Sequence, residues 1–372
     1  MVERAIEEKL TGVVRQTLAR HNMLPAAECA SESAADPAPE LATEPAASVQ
    51  LPIVLMVSGG SDSVALAHLL PRLLPAHSCT ILHVNHLLRG VESDEDERFV
   101  RALAESLDTP CEIRRIDVAA RAAEQGAVGN VEQVGRQQRY RVAHELLDQL
   151  CAEAGTDPQL GRIAVAHTQD DRVETYLMRV IVGGGTSGLA SIPAVNGRVI
   201  RPLLDCTRAQ LREWLAARSW RDDRSNEDTR HARAFVRHEL IPLLQTRNPD
   251  VVATIARSLE VLTAEDAYLK AQTEQLCSRF LKTAFDGSVR LAPAFFKEDP
   301  VFIRRVIREA CIRAMPEAAR ITFAHIEKIA TRGAHVGFAT DIPGDVTVRN
   351  VYGTLIFRQK TASEQPKHQP ER

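Results

Sequence analysis

Three short polar segments carry side chains suited to phosphate, metal and proton chemistry, and each closes or follows an apolar run. Ser58-Gly59-Gly60-Ser61-Asp62-Ser63 lies between Ile53-Val54-Leu55-Met56-Val57 and Val64-Ala65-Leu66-Ala67. His83-Val84-Asn85-His86 ends the run that begins at Cys79, and His167-Thr168-Gln169-Asp170-Asp171 follows Ile163-Ala164-Val165-Ala166. A buried strand that breaks at glycines and restarts as a helix bares backbone N–H groups at the helix's positive end, an arrangement that holds phosphate. The plainer reading of Ser58–Ser63 is a tight turn whose serines cap the helix. Asp62 is a candidate for organising Mg²⁺ rather than a capping carboxylate. Asp170 and Asp171 precede Glu174 by four and three residues, within about one helical turn, so they share a helix face with it. A charged first turn favoured by the helix dipole is the competing account of them.

A Walker-type loop ends in Gly-Lys-Ser/Thr, whose ammonium reaches the terminal phosphates. Beyond residue 51 the first lysine is Lys270. Phosphate charge must therefore be met by backbone N–H groups, the hydroxyls of Ser58, Ser61 and Ser63, Mg²⁺ and arginines. His83, His86 and His167 read as hydrogen-bonding groups at the crevice, since no thiolate or second carboxylate is spaced with them for zinc.

These segments need a scaffold that brings them together. Apolar runs at 52–57, 79–85, 111–116 and 163–166 read as strands, alternating with helical patterns near 61–75, 93–107, 131–152 and 171–182. Such alternation implies an α/β fold with a doubly wound parallel sheet, in which ligands bind beyond the carboxyl ends of the strands. All three polar segments then open onto one crevice. The turn Gly183–Gly188 reads equally as a helix stop or as a loop approached closely by substrate.

Outside this core, residues 1–22 show helical periodicity with Ile6, Leu10, Val13, Val14 and Leu18 on one side, and residues 25–49 form an Ala/Pro/Glu-rich linker. Four domains of organisation follow: 1–50, helix and linker; 51–249, the nucleotide-binding domain with an Arg-rich end; 250–360, a smaller helical domain ending in a short hairpin over 341–357; and 361–372, a disordered tail.

A chain of 372 residues, 44% hydrophobic and 26% charged, can bury a substantial core. No apolar run reaches the roughly 18 residues of a membrane span, and the N-terminus lacks a signal-peptide pattern, so a soluble, cytoplasmic protein is expected. Seven dispersed cysteines without a C-x-x-C pair argue against disulfides and thiolate metal sites. Residues 1–50 hold 4 basic and 8 acidic residues, leaving 42 against 41 elsewhere, and 201–249 carry 10 arginines. That local arginine density suits RNA phosphates despite the net charge of −3.

The SGGxDS segment resembles the loop of the PP-loop ATP pyrophosphatases, which cleave ATP to AMP and pyrophosphate. The order His83–Asp96, Asn130–Tyr140, Ala166–Thr175, Arg179–Pro193, Arg201–Leu204, Asp223–Asn226 and Arg233–Pro242 is similar to the successive motifs of the tRNA(Ile)-lysidine synthase family. That resemblance implies an ATP-dependent ligase that joins L-lysine to the wobble cytidine of the CAU-anticodon tRNA(Ile), through adenylation of C2, with ATP and Mg²⁺ consumed at the loop. It implies ATP contacts at Ser58–Ser63 and His83, and capture of lysine's ammonium groups by Asp170, Asp171 and Glu174. Asp62, Asp171 and Glu174 become the catalytic candidates. Arg89, Arg136, Arg139, Tyr140, Arg201, Arg233 and Arg237 become the tRNA-binding ones, with Tyr140 alternatively a core residue. Some family members carry a further C-terminal domain; tRNA contacts are expected here in the first two. A homodimer is one option for an oligomeric state that the sequence leaves open. Two departures stand out: Arg172 replaces the family's usual Gln and is placed to pair with Asp171, and Ala234 replaces an Asn. Another PP-loop enzyme, such as a tRNA thiolase, or a non-catalytic tRNA-binding relative are the alternatives.

Overall fold

The computed structural model describes residues 2–25, 51–75, 78–124, 130–221, 232–315 and 321–360. The expected linker, the C-terminal tail and the Asp223–Asn226 motif lie outside these residues. The chain divides into two compact units, after Val261.

The first unit comprises α1 (Val2–Arg20), β1 (Ile53–Met56), α2 (Ser61–Leu73), β2 (Cys79–Asn85), α3 (Val91–Ser106), β3 (Cys111–Arg115), α4 (Val118–Glu124), α5 (Val131–Glu153) and β4 (Arg162–Ala164). It continues with α6 (Gln169–Val182), α7 (Thr186–Leu189), β5 (Val195–Asn196), β6 (Val199–Ile200), α8 (Arg208–Trp214), α9 (Ala232–Phe235), α10 (Ile241–Gln245) and the start of α11 (Val251–Phe280). The sheet order is β3-β2-β1-β4-β6-β5, parallel except for the antiparallel edge pair β5–β6. This is the doubly wound sheet expected. The β5–β6 hairpin, two residues per strand, is too short to leave a periodic signal in the sequence.

Side-chain alternation along β1 assigns its two faces. Ile53 and Leu55 join α1, α2, α3 and α8 in one apolar cluster, while Val54 joins Val142, Leu146 and Leu147 of α5 in another. Both faces are covered, which is why β1 is apolar throughout. Helix α1 belongs to this core: Leu10, Val14 and Leu18 are buried in the same cluster as Leu66, Leu70, Leu211 and Trp214.

The second unit holds β7 (Leu281–Thr283), β8 (Val289–Leu291), α12 (Pro300–Ala314), α13 (Phe323–Arg332), β9 (Ala339–Ile342), β10 (Val346–Val351) and β11 (Thr354–Gln359). Turns at Pro343-Gly344 and Tyr352-Gly353 connect β9, β10 and β11, as the alternation over 341–357 predicts. The sheet is nonetheless larger than a hairpin, because β7 and β8 extend it to the order β7-β8-β11-β10-β9. β7 and β8 stand where a helical domain is expected ahead of the hairpin; buried Leu281, Val289 and Leu291 make these segments half-buried strands instead.

Candidate functional site

Strand order reverses between β1 and β4, so the crevice of this sheet lies beyond their carboxyl ends. Beyond β1 comes Ser58–Ser63, and beyond β4 comes His167–Asp171.

The loop is organised by Ser63. Its Oγ accepts from Ser58 N (3.2 Å) and Gly59 N (3.1 Å) and donates to Gly60 O (2.9 Å). Gly59 has φ +100°, a conformation that L side chains rarely adopt. Helix α2 opens with Gly60 at its N-cap and no side-chain cap, so its first amides have no serine spanning them. That favours the anion cradle over the capped turn. Arg221 N donates to Gly59 O (2.9 Å), and its side chain pairs with Asp96 (2.7 Å) and Glu95 (2.9 Å) of α3.

Helix α6 starts with a capping box. Thr168 Oγ1 accepts from Asp171 N (3.4 Å), while Thr168 N donates to Asp171 Oδ2 (2.8 Å). Asp171 and Glu174, both buried, therefore project from the first turns of one helix in a fixed direction. What meets them is Arg208, the first residue of α8, whose own N-cap Thr207 forms a capping box with Gln210. The Arg208 guanidinium donates to Asp62 Oδ2 (3.2 Å), Asp171 Oδ1 (3.0 Å) and Glu174 Oε1 (3.2 Å), and its backbone N donates to Asp170 Oδ2 (2.7 Å). All four acidic candidates thus converge on one residue.

Two more arginines close the cluster. Arg233 donates to Glu174 Oε2 (2.9 Å) and Asp171 Oδ1 (2.9 Å); Arg237 donates to Glu174 Oε1 (2.7 Å) and Oε2 (2.9 Å). Arg237 sits in a wide π-turn, Val236–Leu240, ahead of Pro242, which lacks the N–H that a regular helix would need there. Burial works to raise the Glu174 carboxyl, but Arg237, Arg208 and Arg233 hold it at about 2. Burial raises the Asp62 carboxyl above its ordinary value, with Arg208 opposing. Arg208 stays charged because Asp171, Asp62 and Glu174 outweigh its own burial. Within this ion-pair cluster three guanidiniums face four carboxylates, an excess of one carboxylate.

Oxygen donors suit Mg²⁺, and Asp62 stands at the loop beside Ser61, whose Oγ donates to it (3.2 Å). Among the described residues no group of three or more His, Cys, Asp or Glu side chains is arranged to hold a metal ion. The residues fit an ion carried in on a triphosphate and steadied by Asp62 rather than a protein-only cage.

The histidines are neutral. His83 Nδ1 donates to Val57 O (2.9 Å), fixing the ring beneath the loop, and burial lowers its pKa. His167 accepts at Nδ1 from Arg201 Nε (3.0 Å), and burial holds it at about 4. His86 is likewise lowered to about 4 by burial.

The basic candidates fall into three groups. Arg136 is exposed, with its guanidinium 5.1 Å from the Tyr140 ring centroid, while Tyr140 packs partly against the α5-side apolar cluster. Arg139 is partly buried one turn along, and Arg89 pairs with Asp96 (3.0 Å) on α3. Arg201, by contrast, is 4% exposed and held by His167 and Pro193 O (2.7 Å), which corrects the expectation of a surface phosphate contact. Arg233 and Arg237 face the acidic cluster, with 45% of the Arg233 side chain still exposed.

Arg172 does not pair with Asp171. Successive helix residues point about 100° apart, and Arg172 is buried toward Asp205 (3.7 Å). Ala234, the other departure, is buried. Gly183, at φ +83°, follows the last residue of α6 and stops the helix. Sequence reasoning missed Arg208, Arg212, whose Nε lies 3.4 Å from Ser61 Oγ, and Arg221. The only hint was Arg208 at a helix start, where the dipole disfavours a cation unless carboxylates face it.

Residues 38–244 match the family model described as a PP-loop domain. The chain is 36% identical over 282 residues to the tRNA(Ile)-lysidine synthase of Solibacter usitatus, covering 74% of this chain and 60% of that protein. It is 33% identical over 318 residues to the synthase of Geobacter sulfurreducens (83% and 65%) and 36% identical over 311 residues to that of Thermus thermophilus (82% and 56%). The chain thus spans about 60% of the length of these relatives. No helix among the described residues is long and apolar enough to cross a membrane. With the loop of Ser63 and Gly59 at the sheet's switch point and this match over more than half its length, the chain belongs to the PP-loop domain family, and the proteins named above are its relatives.

Proposed function

We propose that this protein is an ATP-dependent, tRNA-modifying ligase that joins L-lysine to C2 of the wobble cytidine in the CAU-anticodon tRNA(Ile). The observation that carries the reading is the convergence of Asp62, from the phosphate loop, and Asp171 and Glu174, from α6, on the single guanidinium of Arg208. Nucleotide chemistry and amine binding then share one crevice.

The cytidine O2 attacks the α-phosphorus of ATP, the bond to the β-phosphate oxygen breaks, and pyrophosphate leaves. The ε-amine of lysine then adds to C2, loses a proton, and the C2–O bond breaks to release AMP. The uncapped first amides of α2 and the hydroxyls of Ser58 and Ser61 hold the phosphates in line, with arginines meeting the developing charge. His83 steadies the loop from beneath, through Val57. Mg²⁺, steadied by Asp62, would offset phosphate charge. Asp170, Asp171 and Glu174 receive the lysine ammonium groups, exchanging part of their pairing with Arg208 and Arg233 for the substrate. Arg89, Arg136, Arg139 and Tyr140 contact the RNA, the tyrosine by stacking. A cytoplasmic location suits this substrate.

A thiolase reading is less well supported: Cys206, nearest the cluster in sequence, is buried and its thiol is pushed up to about 12, which disfavours a reactive thiolate. The test is incubation of the full chain with ATP, Mg²⁺, each amino acid in turn and a CAU-anticodon tRNA(Ile), followed by mass analysis of the nucleosides. Addition of lysine alone, dependent on ATP, supports the reading; addition of sulfur, or no product, rejects it.

A further inference from the structure

We propose that the N-terminal helix α1 is a working part of the catalytic unit, with Thr17 acting through the positioning residue Asp205 to hold Arg208 against the acidic face of α6. The inference rests on the reading that this face receives lysine. Helix α1 lies before the region matched by the family model, which begins at residue 38.

The segment Asp205–Arg208 is fastened to α6 at two places. Toward the crevice, Arg208 N donates to Asp170 Oδ2 (2.7 Å), its guanidinium meets Asp171 and Glu174, and Gln169 N donates to Cys206 O (2.9 Å). On another face of the same helix, Arg172 pairs with Asp205 Oδ1 (3.7 Å). Arg172 is 5% exposed, and a guanidinium so buried needs a counter-charge. Asp205 supplies it, and α1 fixes Asp205. Thr17, fully buried, has its hydroxyl 2.9 Å from Asp205 Oδ2 and 2.9 Å from Val13 O; the carboxylate is the stronger acceptor of its one proton. Arg20 adds a contact to the same oxygen at 3.5 Å. Apolar packing joins in, since α1 shares its buried cluster with α2, which carries Asp62, and with α8, which carries Arg208.

Arg172 is thus not an isolated departure from the family's Gln. It is one end of the chain Arg172–Asp205–Thr17, which anchors α1 to the back of the site. Loosening this chain shifts α6 against Arg208, and so disturbs the lysine carboxylates while leaving the Ser63-centred loop intact.

The experiment is steady-state lysidine formation by the full chain, with lysine and ATP varied in turn, for wild type, Asp205→Asn, Thr17→Val and the double variant Asp205→Asn/Arg172→Gln. Asp205→Asn is expected to raise the lysine KM about tenfold and Thr17→Val about threefold, with the ATP KM of each within about twofold of wild type. The double variant is expected to return the lysine KM to within about threefold of wild type, since a neutral pair needs no counter-charge. A merely structural network would move both KM values together. The proposal is overturned by an unmoved lysine KM, by an equal rise in the ATP KM, or by a double variant no better than Asp205→Asn. Should Asp205→Asn fail to fold, the lysine KM and ATP KM of Thr17→Val decide, a rise in the lysine KM alone supporting the proposal and an unmoved lysine KM or an equal rise in both overturning it. A wild type that makes no lysidine fails the functional reading and the inference together; a wild type that makes it, with no KM split among the variants, fails the inference alone.

Discussion

Asp62 and Glu174 lie 112 positions apart in the chain, yet each places a carboxylate oxygen 3.2 Å from a nitrogen of the same Arg208 side chain. One guanidinium therefore reports on both halves of the proposed reaction. Replacing it with leucine leaves the buried carboxylates under-compensated, and stability should fall by about 3 kcal/mol, measured as a lower urea midpoint. Arg208→Lys keeps the charge but not the fork, so it should regain most of that stability while lysidine formation stays about 100-fold below wild type. Wild-type turnover in Arg208→Lys would show that the fork plays no part in the reaction.

Glu174 gives a pH signature. Its carboxyl is held at about 2 against an ordinary value of 4.5, so the folded state binds a proton less readily than the unfolded state. The resulting stabilisation, roughly 3 kcal/mol, is fully present above pH 4.5 and is lost as the pH falls toward 2. Unfolding free energy measured across that window should decline steeply in wild type and less so in Glu174→Gln.

The phosphate loop depends on one hydroxyl. Ser63→Ala leaves Ser58 N and Gly59 N without their acceptor, while Gly60 O keeps Val64 N as a donor, at a cost of about 1–3 kcal/mol. Initial rates with ATP varied should show a several-fold higher ATP KM with the lysine KM little changed. A rise in the lysine KM alone would contradict the loop's assignment.

Most of this organisation was legible in the sequence, for identifiable reasons. Strands buried on both faces read as continuous apolar runs, so β1 and β2 were placed to within a residue or so, and the glycines of the loop marked the break. The carboxylates at Asp170, Asp171 and Glu174 followed from helical spacing. What periodicity does not encode is which distant arginine meets them. Arg208, Arg233 and Arg237 come from three different elements, α8, α9 and the π-turn, and only the tertiary fold distinguishes them from the other arginines of 201–249. Burial of Arg201 was hidden for the same reason: its partner His167 lies beyond another strand. Strands β7 and β8 escaped notice because three-residue strands carry too few alternations to stand out from a helical pattern.

RNA binding should be carried by residues outside the acidic cluster. Arg136→Ala removes an exposed cation, so affinity for tRNA should fall several-fold and the salt dependence of log K should flatten by about one unit. Tyr140→Leu, which preserves the apolar packing, should weaken binding without changing that slope. Filter binding at several salt concentrations distinguishes the two.

In the proposed reaction the crevice adenylates the RNA base and not the amino acid. A single-turnover experiment with α-labelled ATP, Mg²⁺ and the CAU-anticodon tRNA(Ile), first without lysine and then with it, addresses this directly. Label is expected on the tRNA cytidine before lysine is added, with lysidine and AMP appearing together afterwards. Label on lysine as an aminoacyl-adenylate, with none on the tRNA, would contradict it.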